Sequence, residues 1–283
     1  MTNEQKQQTG GSEITPAKVL RWRVGGKLLE EDDQLVTEEP LEIRVRGKSV
    51  AITMRTPGQD EELAVGFLLT EGIIKRRSDV VEVAYCQQGE AANYQNTVNV
   101  FLAPDVAVNF EELTRHVFAS SSCGLCGKAS IESVHQHFTP VDSNVTIAPE
   151  MILQLPDCLR SAQETFSKTG GLHGAGIFDV QGNLLVMRED VGRHNAVDKV
   201  LGHCFLKQIS LSNHVLLVSG RASFEIMQKA LAARIPIVCA VSAPSSLAVE
   251  FARESGQTLV GFLRGGSMNI YSHPQRVIVL GCS

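Results

Sequence analysis

The chain has 283 residues, 43% apolar and 20% charged, long enough to bury one large core or two modest ones and ordinary for a globular protein. A net charge of −5 and an aromatic content of 5% argue against a nucleic-acid partner or an anionic membrane surface, and no run of eighteen apolar residues is present to cross a bilayer. The seven cysteines are odd in number, only Cys123 and Cys126 are close together, and no apolar leader opens the chain. That usage points to a reducing, cytoplasmic setting and not to a disulfide framework.

Residues 1–16 are polar and glutamine-rich, and read as a disordered tail. Arg21, Trp22, Arg23 and Val24 predict a first short strand ending at Gly25 and Gly26. Leu41, Ile43 and Val45, then Val50, Ile52 and Met54, alternate with polar residues around Gly47 and Lys48, the pattern of a half-buried hairpin. Asp60 is placed to cap a helix presenting Leu63, Ala64, Phe67 and Leu68, with Gly72 as its stop. Strands at 80–86 and 97–102 complete an N-terminal α+β subdomain over 17–110. A helix at 111–118 then leads into a loop with Cys123 and Cys126 (the connection spans 111–128), and Ile131, Val134 and Phe138 share one face of the next helix.

The remainder, 129–283, reads as an α/β domain. Ile152, Leu155, Leu159, Ala162 and Phe166 repeat at helical spacing, with a kink expected at Pro156 and a stop at Gly170. A hairpin follows over 175–180 and 184–188, then a helix from Asp190. Apolar strands at 215–218, 235–241 and 259–263 alternate with helices before a last strand at 268–271, which predicts parallel βαβ pairing with helices on both faces.

In such a sheet ligands lie beyond the carboxyl ends of the strands. Three of these ends are small and polar: Ser219, Gly220, Arg221, Ala222 and Ser223; Ser242 to Ser246; and Arg264, Gly265, Gly266 and Ser267. Free N–H groups at a helix start, hydroxyls and the Arg221 and Arg264 guanidiniums suit a phosphorylated ligand. Glu189, Asp190, Arg193 and His194 are the acid, base and orienting candidates, and His173 stands in a glycine-rich turn. The Cys-x-x-Cys has three chemical readings. Zinc wants a second ligand pair, and His135 and His137 would point to different sides of a helix. A thioredoxin-like site wants the motif just after a strand. An exposed thiol on a mobile loop, with Lys128 at the next helix start favouring thiolate, suits a group that collects and carries sulfur.

Taken together, Ser-Ser-Cys123-Gly-Leu-Cys126-Gly, Thr169-Gly-Gly-Leu-His173, the stretch from Arg188 through His194 to Asp198, Ser219-Gly-Arg-Ala-Ser223, Ser242-Ala-Pro, the stretch around Leu63 to Gly72, and Gly261 through Tyr271 resemble the FdhD/NarQ family of formate dehydrogenase accessory sulfurtransferases. The resemblance implies a three-layer α/β/α sandwich similar to cytidine deaminases with a smaller N-terminal subdomain, although the deaminase zinc signature is absent, and it implies a homodimer. It further implies that a cysteine desulfurase passes persulfide sulfur to Cys123, with Cys126 as second thiol. The sulfur then moves to the molybdenum (or tungsten) cofactor, bis-molybdopterin guanine dinucleotide, for formate dehydrogenase. The guanine dinucleotide would lie on Phe262, Leu263, Arg264, Gly265, Gly266 and Ser267, with Ser219, Arg221, His173 and His194 nearby and no structural metal. A chaperone that binds the cofactor without transferring sulfur is the alternative.

Overall fold

The computed structural model describes residues 11–86, 95–110, 134–135 and 137–278. The helix expected at 111–118, both cysteines of the motif and the start of the helix after them lie outside the described residues.

The first element corrects the sequence reading. An antiparallel ribbon pairs β1 (Ile14–Arg21) with β2 (Leu29–Val36), so the strand begins inside the expected tail, and Trp22, Arg23 and Val24 belong to the connection and not to a strand. Charge complementarity accompanies the pairing: Lys18 lies across from Asp32, and Arg21 reaches Glu31 at 2.7 Å. An acidic run such as Glu30 to Asp33 carries little intrinsic strand preference, which hid β2.

β3 (Glu39–Val45) and β4 (Lys48–Arg55) form a hairpin whose two turn residues, Arg46 and Gly47, both have positive φ, as a tight primed turn requires. β5 (Val80–Tyr85) and β6 (Thr97–Leu102) complete a sheet of order β4-β3-β6-β5. Its inner face (Leu41, Ile43, Val45, Val98 and Val100) and the apolar side of α1 (Asp60–Thr70) belong to one core. Asp60 does not cap α1. Gln59 occupies that position with φ 53°, and the Asp60 carboxylate turns inward to take both arms of the buried Arg55 guanidinium at 3.0 and 2.9 Å, and the Tyr85 hydroxyl at 3.1 Å.

The second sheet has six strands: β7 (His173–Phe178), β8 (Leu184–Asp190), β9 (Val215–Val218), β10 (Ile237–Ala240), β11 (Thr258–Arg264) and β12 (Ser267–Ser272), in the order β12-β11-β10-β9-β7-β8. β9, β10 and β11 are parallel, whereas β7, β8 and β12 join through antiparallel pairs. Strand alternation splits the core. Val215, Leu217, Ile237 and Cys239 pack with Ile152, Leu155 and Leu159 of α2 (Pro149–Ala162), which continues past Pro156. Leu216, Val218, Val238 and Ala240 pack on the other side with α4 (Arg193–Leu206), α5 (Phe224–Ala232) and α6 (Ser246–Glu254). The short α3 (Glu164–Thr169) ends at Gly170 in the left-handed region, as expected. The result is an α/β fold with helices on both faces of the larger sheet.

The two sheets meet through α1 and α4, which approach until backbone touches backbone. A Cβ built on Gly66 would overlap the Asp198 carbonyl, and one on Gly202 would overlap that of Glu62. Beside this crossing, Lys229 Nζ is held by both Asp198 oxygens, at 2.9 and 2.8 Å, and by Thr70 Oγ1 at 3.0 Å. Lys199, fully buried, pairs with Asp190 at 2.8 Å and donates to the Thr56 carbonyl. Among the described residues no helix is long and apolar enough to cross a membrane.

Candidate functional site

The pairing directions put the start of β7 and the ends of β8, β9, β10 and β11 on one edge of the larger sheet. Every site residue proposed from the sequence, apart from the two cysteines, therefore lies along this edge. At its centre Ser219 ties β9 to β7: its N–H donates to the Gly174 carbonyl and its hydroxyl oxygen accepts the Gly174 N–H, both at 2.9 Å. The segments beyond β9 and β10 stay side by side through a bridge between Ala222 and Pro244 and make a narrow floor.

Cationic and titratable side chains surround that floor. Gly220 leaves room for the His173 ring and the Arg193 side chain, which a Cβ there would contact. The Arg193 Nε is buried and has no hydrogen-bond partner among the described residues, an uncommon state for a buried donor. His194, in the first turn of α4, places Nε2 2.9 Å from Glu225 Oε2 and 3.3 Å from Ser223 Oγ. This hydrogen bond from His194 holds the Glu225 carboxyl below its usual range against the effect of burial, helped by the charges of His194, Arg193 and Lys229. Burial, together with the neighbouring charges of Arg193, His194 and Arg221, pushes the His173 pKa down, so the ring is neutral near pH 7. Arg221 is exposed at the rim. Arg193 and Arg221 bring positive charge to the crevice, against which Glu225 is the facing carboxylate.

Two strands away, β11 ends in a hairpin with β12. Phe262 has φ 52°, a strained backbone for a bulky residue, and its N–H donates to the Ser242 carbonyl at 3.1 Å. The strand register slips between Gly261 and Arg264, Gly265 and Gly266 take positive φ, and Arg264, Gly265, Gly266 and Ser267 are exposed. The Arg264 guanidinium lies 5.6 Å from the centre of the Phe262 ring. Leu263 is buried in the core beneath the sheet, so its side chain serves packing. At about 4.8 Å per strand, the β9 and β11 ends are roughly 10 Å apart, the span of a nucleotide and its phosphates.

Two of the acid candidates are engaged elsewhere. Glu189 accepts the Thr165 and Phe166 N–H groups at the start of α3, at 3.0 and 2.9 Å. Asp190, fully buried, is held by Lys199, Thr56, Gly192 and Asn195. Arg188 grips Glu62 with both arms at 2.6 and 2.9 Å. Much of the dense polar stretch from 188 to 199 thus joins the two sheets, leaving Arg193 and His194 for the crevice. Glu225 escaped the sequence reading, since an acid in a helix's first turn is ordinary dipole complementation. After the cysteine segment the His135 ring stacks on Phe251, whose ring in turn meets Phe224 at the start of α5. The chain then runs to the other edge of the sheet, where Arg234 binds the Thr139 carbonyl and the Val141 N–H donates to the Ser255 carbonyl at 2.8 Å. No cluster of three metal-ligating side chains occurs among the described residues.

The comparisons with known proteins cover nearly all of this architecture. The model of the FdhD/NarQ family matches residues 36–278. The sulfur carrier protein FdhD of Mycobacterium tuberculosis is 52% identical over 271 residues, covering 93% of this chain and 98% of that protein. Its namesake in Streptomyces coelicolor is 51% identical, covering 92% and 94%, and that of Thermoplasma volcanium is 44% identical, covering 89% and 91%. Among solved structures, a formate dehydrogenase accessory protein from Desulfotalea psychrophila aligns with a TM-score of 0.74 at 27% identity, over 94% of this chain and all of that one.

Proposed function

Since the chain belongs to the FdhD/NarQ family, we propose that it is a sulfur carrier that takes persulfide sulfur from a cysteine desulfurase and delivers it to a guanine-dinucleotide molybdenum cofactor destined for formate dehydrogenase. In the loading step the Cys123 thiolate attacks the outer sulfur of the donor's persulfide. One S–S bond forms as another breaks, and the donor cysteine leaves as thiolate, so no external oxidant or reductant is needed. Cys126 is the second thiol, positioned by sequence to take over the outer sulfur. This chemistry belongs in a reducing cytoplasm.

The observation that carries the acceptor half of the reading is the crevice itself. A buried Arg193 Nε, without a partner among the described residues, stands among His173, His194 and Arg221 at the carboxyl edge of the sheet. Phosphates would be held there by charge and backbone N–H groups, and the base would meet the hairpin of Phe262, Leu263, Arg264, Gly265, Gly266 and Ser267. Covalent reach is compatible with one chain serving both ends. Eight peptide steps separate Cys126 from Val134, at most about 28 Å, and the seven residues of β11 span roughly 23 Å.

The chain also fits a homodimer. The β1–β2 ribbon is an isolated pair of strands, and Leu20, Trp22, Val24, Leu28 and Leu29 at its far end are 55–92% exposed. Such a ribbon is marginal in water without a surface to lie on, and a second copy supplies one.

Incubation with a cysteine desulfurase and cysteine, followed by peptide mass spectrometry, is expected to place sulfane sulfur on Cys123 or Cys126. Sulfur only on the other cysteines would overturn the carrier reading. If Cys123→Ala still matures active formate dehydrogenase, the protein is a cofactor chaperone instead.

A further inference from the structure

At the edge opposite the crevice lies a second cavity of about 420 Å³. The 141–146 segment, Gly256 and the turn after β12 line it as a cleft open to solvent, and Arg276 forms part of its wall. Arg276 is only 5% exposed. Its Nε donates to the Ser143 carbonyl at 3.0 Å, and Nη1 donates to the Gly256 carbonyl at 2.8 Å and to Thr258 Oγ1 at 3.2 Å. Among the described residues Nη2 has no protein partner, and no carboxylate comes within ion-pair distance.

Two other arginines in the molecule show what is missing. Arg55, as deeply buried, is answered by Asp60 and Glu39, and Arg188 by Glu62. Arg276 meets neutral oxygens alone. Burial pushes its pKa down, and the opposing charge it feels comes from Asp142, which lines the same cavity but is exposed and beyond ion-pair distance. A guanidinium withdrawn from water with no carboxylate in contact is costly, and an anion entering the cavity would neutralise it.

We propose that this cavity binds a phosphoryl group borne by a small molecule, held by the free arm of Arg276 with Asn144 and Thr146 at the mouth. The planar fork and surrounding neutral donors match an oxyanion with several oxygens. The site is separate from the crevice: Thr258, which accepts from Arg276, starts β11, and Arg264 ends it, roughly 20 Å away.

Inorganic phosphate is the probe, and the chain carrying Arg193→Gln and Arg221→Gln removes the crevice as a competing site. Thermal melting of this variant is expected to rise saturably by at least about 2 °C with phosphate relative to sodium chloride of equal ionic strength. Adding Thr146→Glu, an exposed change that puts a carboxylate at the mouth, should abolish the rise. Arg276→Lys, which keeps the charge and loses the fork, should weaken binding at least tenfold. Equal shifts in phosphate and chloride, a shift unchanged by Thr146→Glu, or acetate binding as well as phosphate would each overturn the proposal. Should the double variant fail to fold, wild type and Thr146→Glu are compared directly. A smaller phosphate shift in Thr146→Glu supports the site, and identical shifts refute it.

Discussion

His173 is held neutral by burial and by the positive charges around it, which makes it a reporter on any anion that enters the crevice. A bound phosphate would offset those charges and raise the ring's pKa. Binding linked to proton uptake strengthens as pH falls, so guanosine diphosphate should bind more tightly at pH 6 than at pH 8. Calorimetry on His173→Gln should show that slope flattened. Glu62 gives the opposite sign in stability. Burial raises its pKa, but the hydrogen bonds and charges of Arg188 and His203 outweigh that, and the carboxyl is held below 4.5. Its stabilising effect is therefore complete above the unfolded value and is lost as pH falls through the lower folded one. Urea unfolding between pH 3 and 7 should show a shallower acid limb for Glu62→Gln. The sequence exposed His173 because a histidine in a glycine-rich turn needs a reason, and His194 because it stands in a dense polar cluster between a strand and a helix. It could not separate Arg193 from Glu189 and Asp190, since all three are charged neighbours in one short stretch. Only the fold shows that two of them face caps and buried pairs while the third has a nitrogen left over.

At the scale of elements, the crossing of α1 and α4 depends on the absence of two side chains. Gly66→Ala or Gly202→Ala would force the helices apart at a contact between backbones, where nothing can rotate away. Each is expected to cost about 3 kcal/mol or more, read as a lower urea midpoint. A glycine inside a helix is legible in sequence as a possible close approach, but the partner is not, because Gly66 and Asp198 are over a hundred residues apart. The central strands were easier. Four-residue apolar runs such as 215–218 are bounded by polar turns, and their place in a parallel sheet follows from the helices between them. The β1–β2 ribbon was missed because its pairing is tied by charges across two strands and not by alternation within one.

At the scale of the whole molecule, the homodimer proposed above is tested at the exposed end of the β1–β2 ribbon. Trp22→Ser with Leu29→Ser removes two large exposed apolar groups at the far end of the ribbon without touching either core. Sedimentation at micromolar concentration should then give a monomer with unchanged circular dichroism, and a dimer as stable as wild type would exclude the ribbon as the contact. The α/β class and the location of the crevice were legible because both follow from strand order. The route between the cysteines and that crevice was not, because it depends on which sheet edge the chain returns to after residue 133. At His135 the chain lies against Phe251, next to Phe224 at the start of α5, and only by Thr139 and Val141 has it reached the far edge.

The α1–α4 joint also sets a timetable for synthesis. α1 is complete at Thr70, but the helix that covers it ends only at Leu206, 136 residues later (206 − 70). At elongation rates of about 5–20 residues per second, the α4-facing side of α1 waits on the order of ten seconds on the ribosome before its partner emerges. Gly66, which meets the Asp198 carbonyl, and Thr70, which binds the Asp198 carboxylate, are on that side. The nascent N-terminal sheet should accordingly be a substrate for ribosome-associated chaperones until α4 is made, and protease resistance of stalled chains should appear abruptly once about thirty residues beyond Leu206 have been synthesised, rather than after the N-terminal sheet alone.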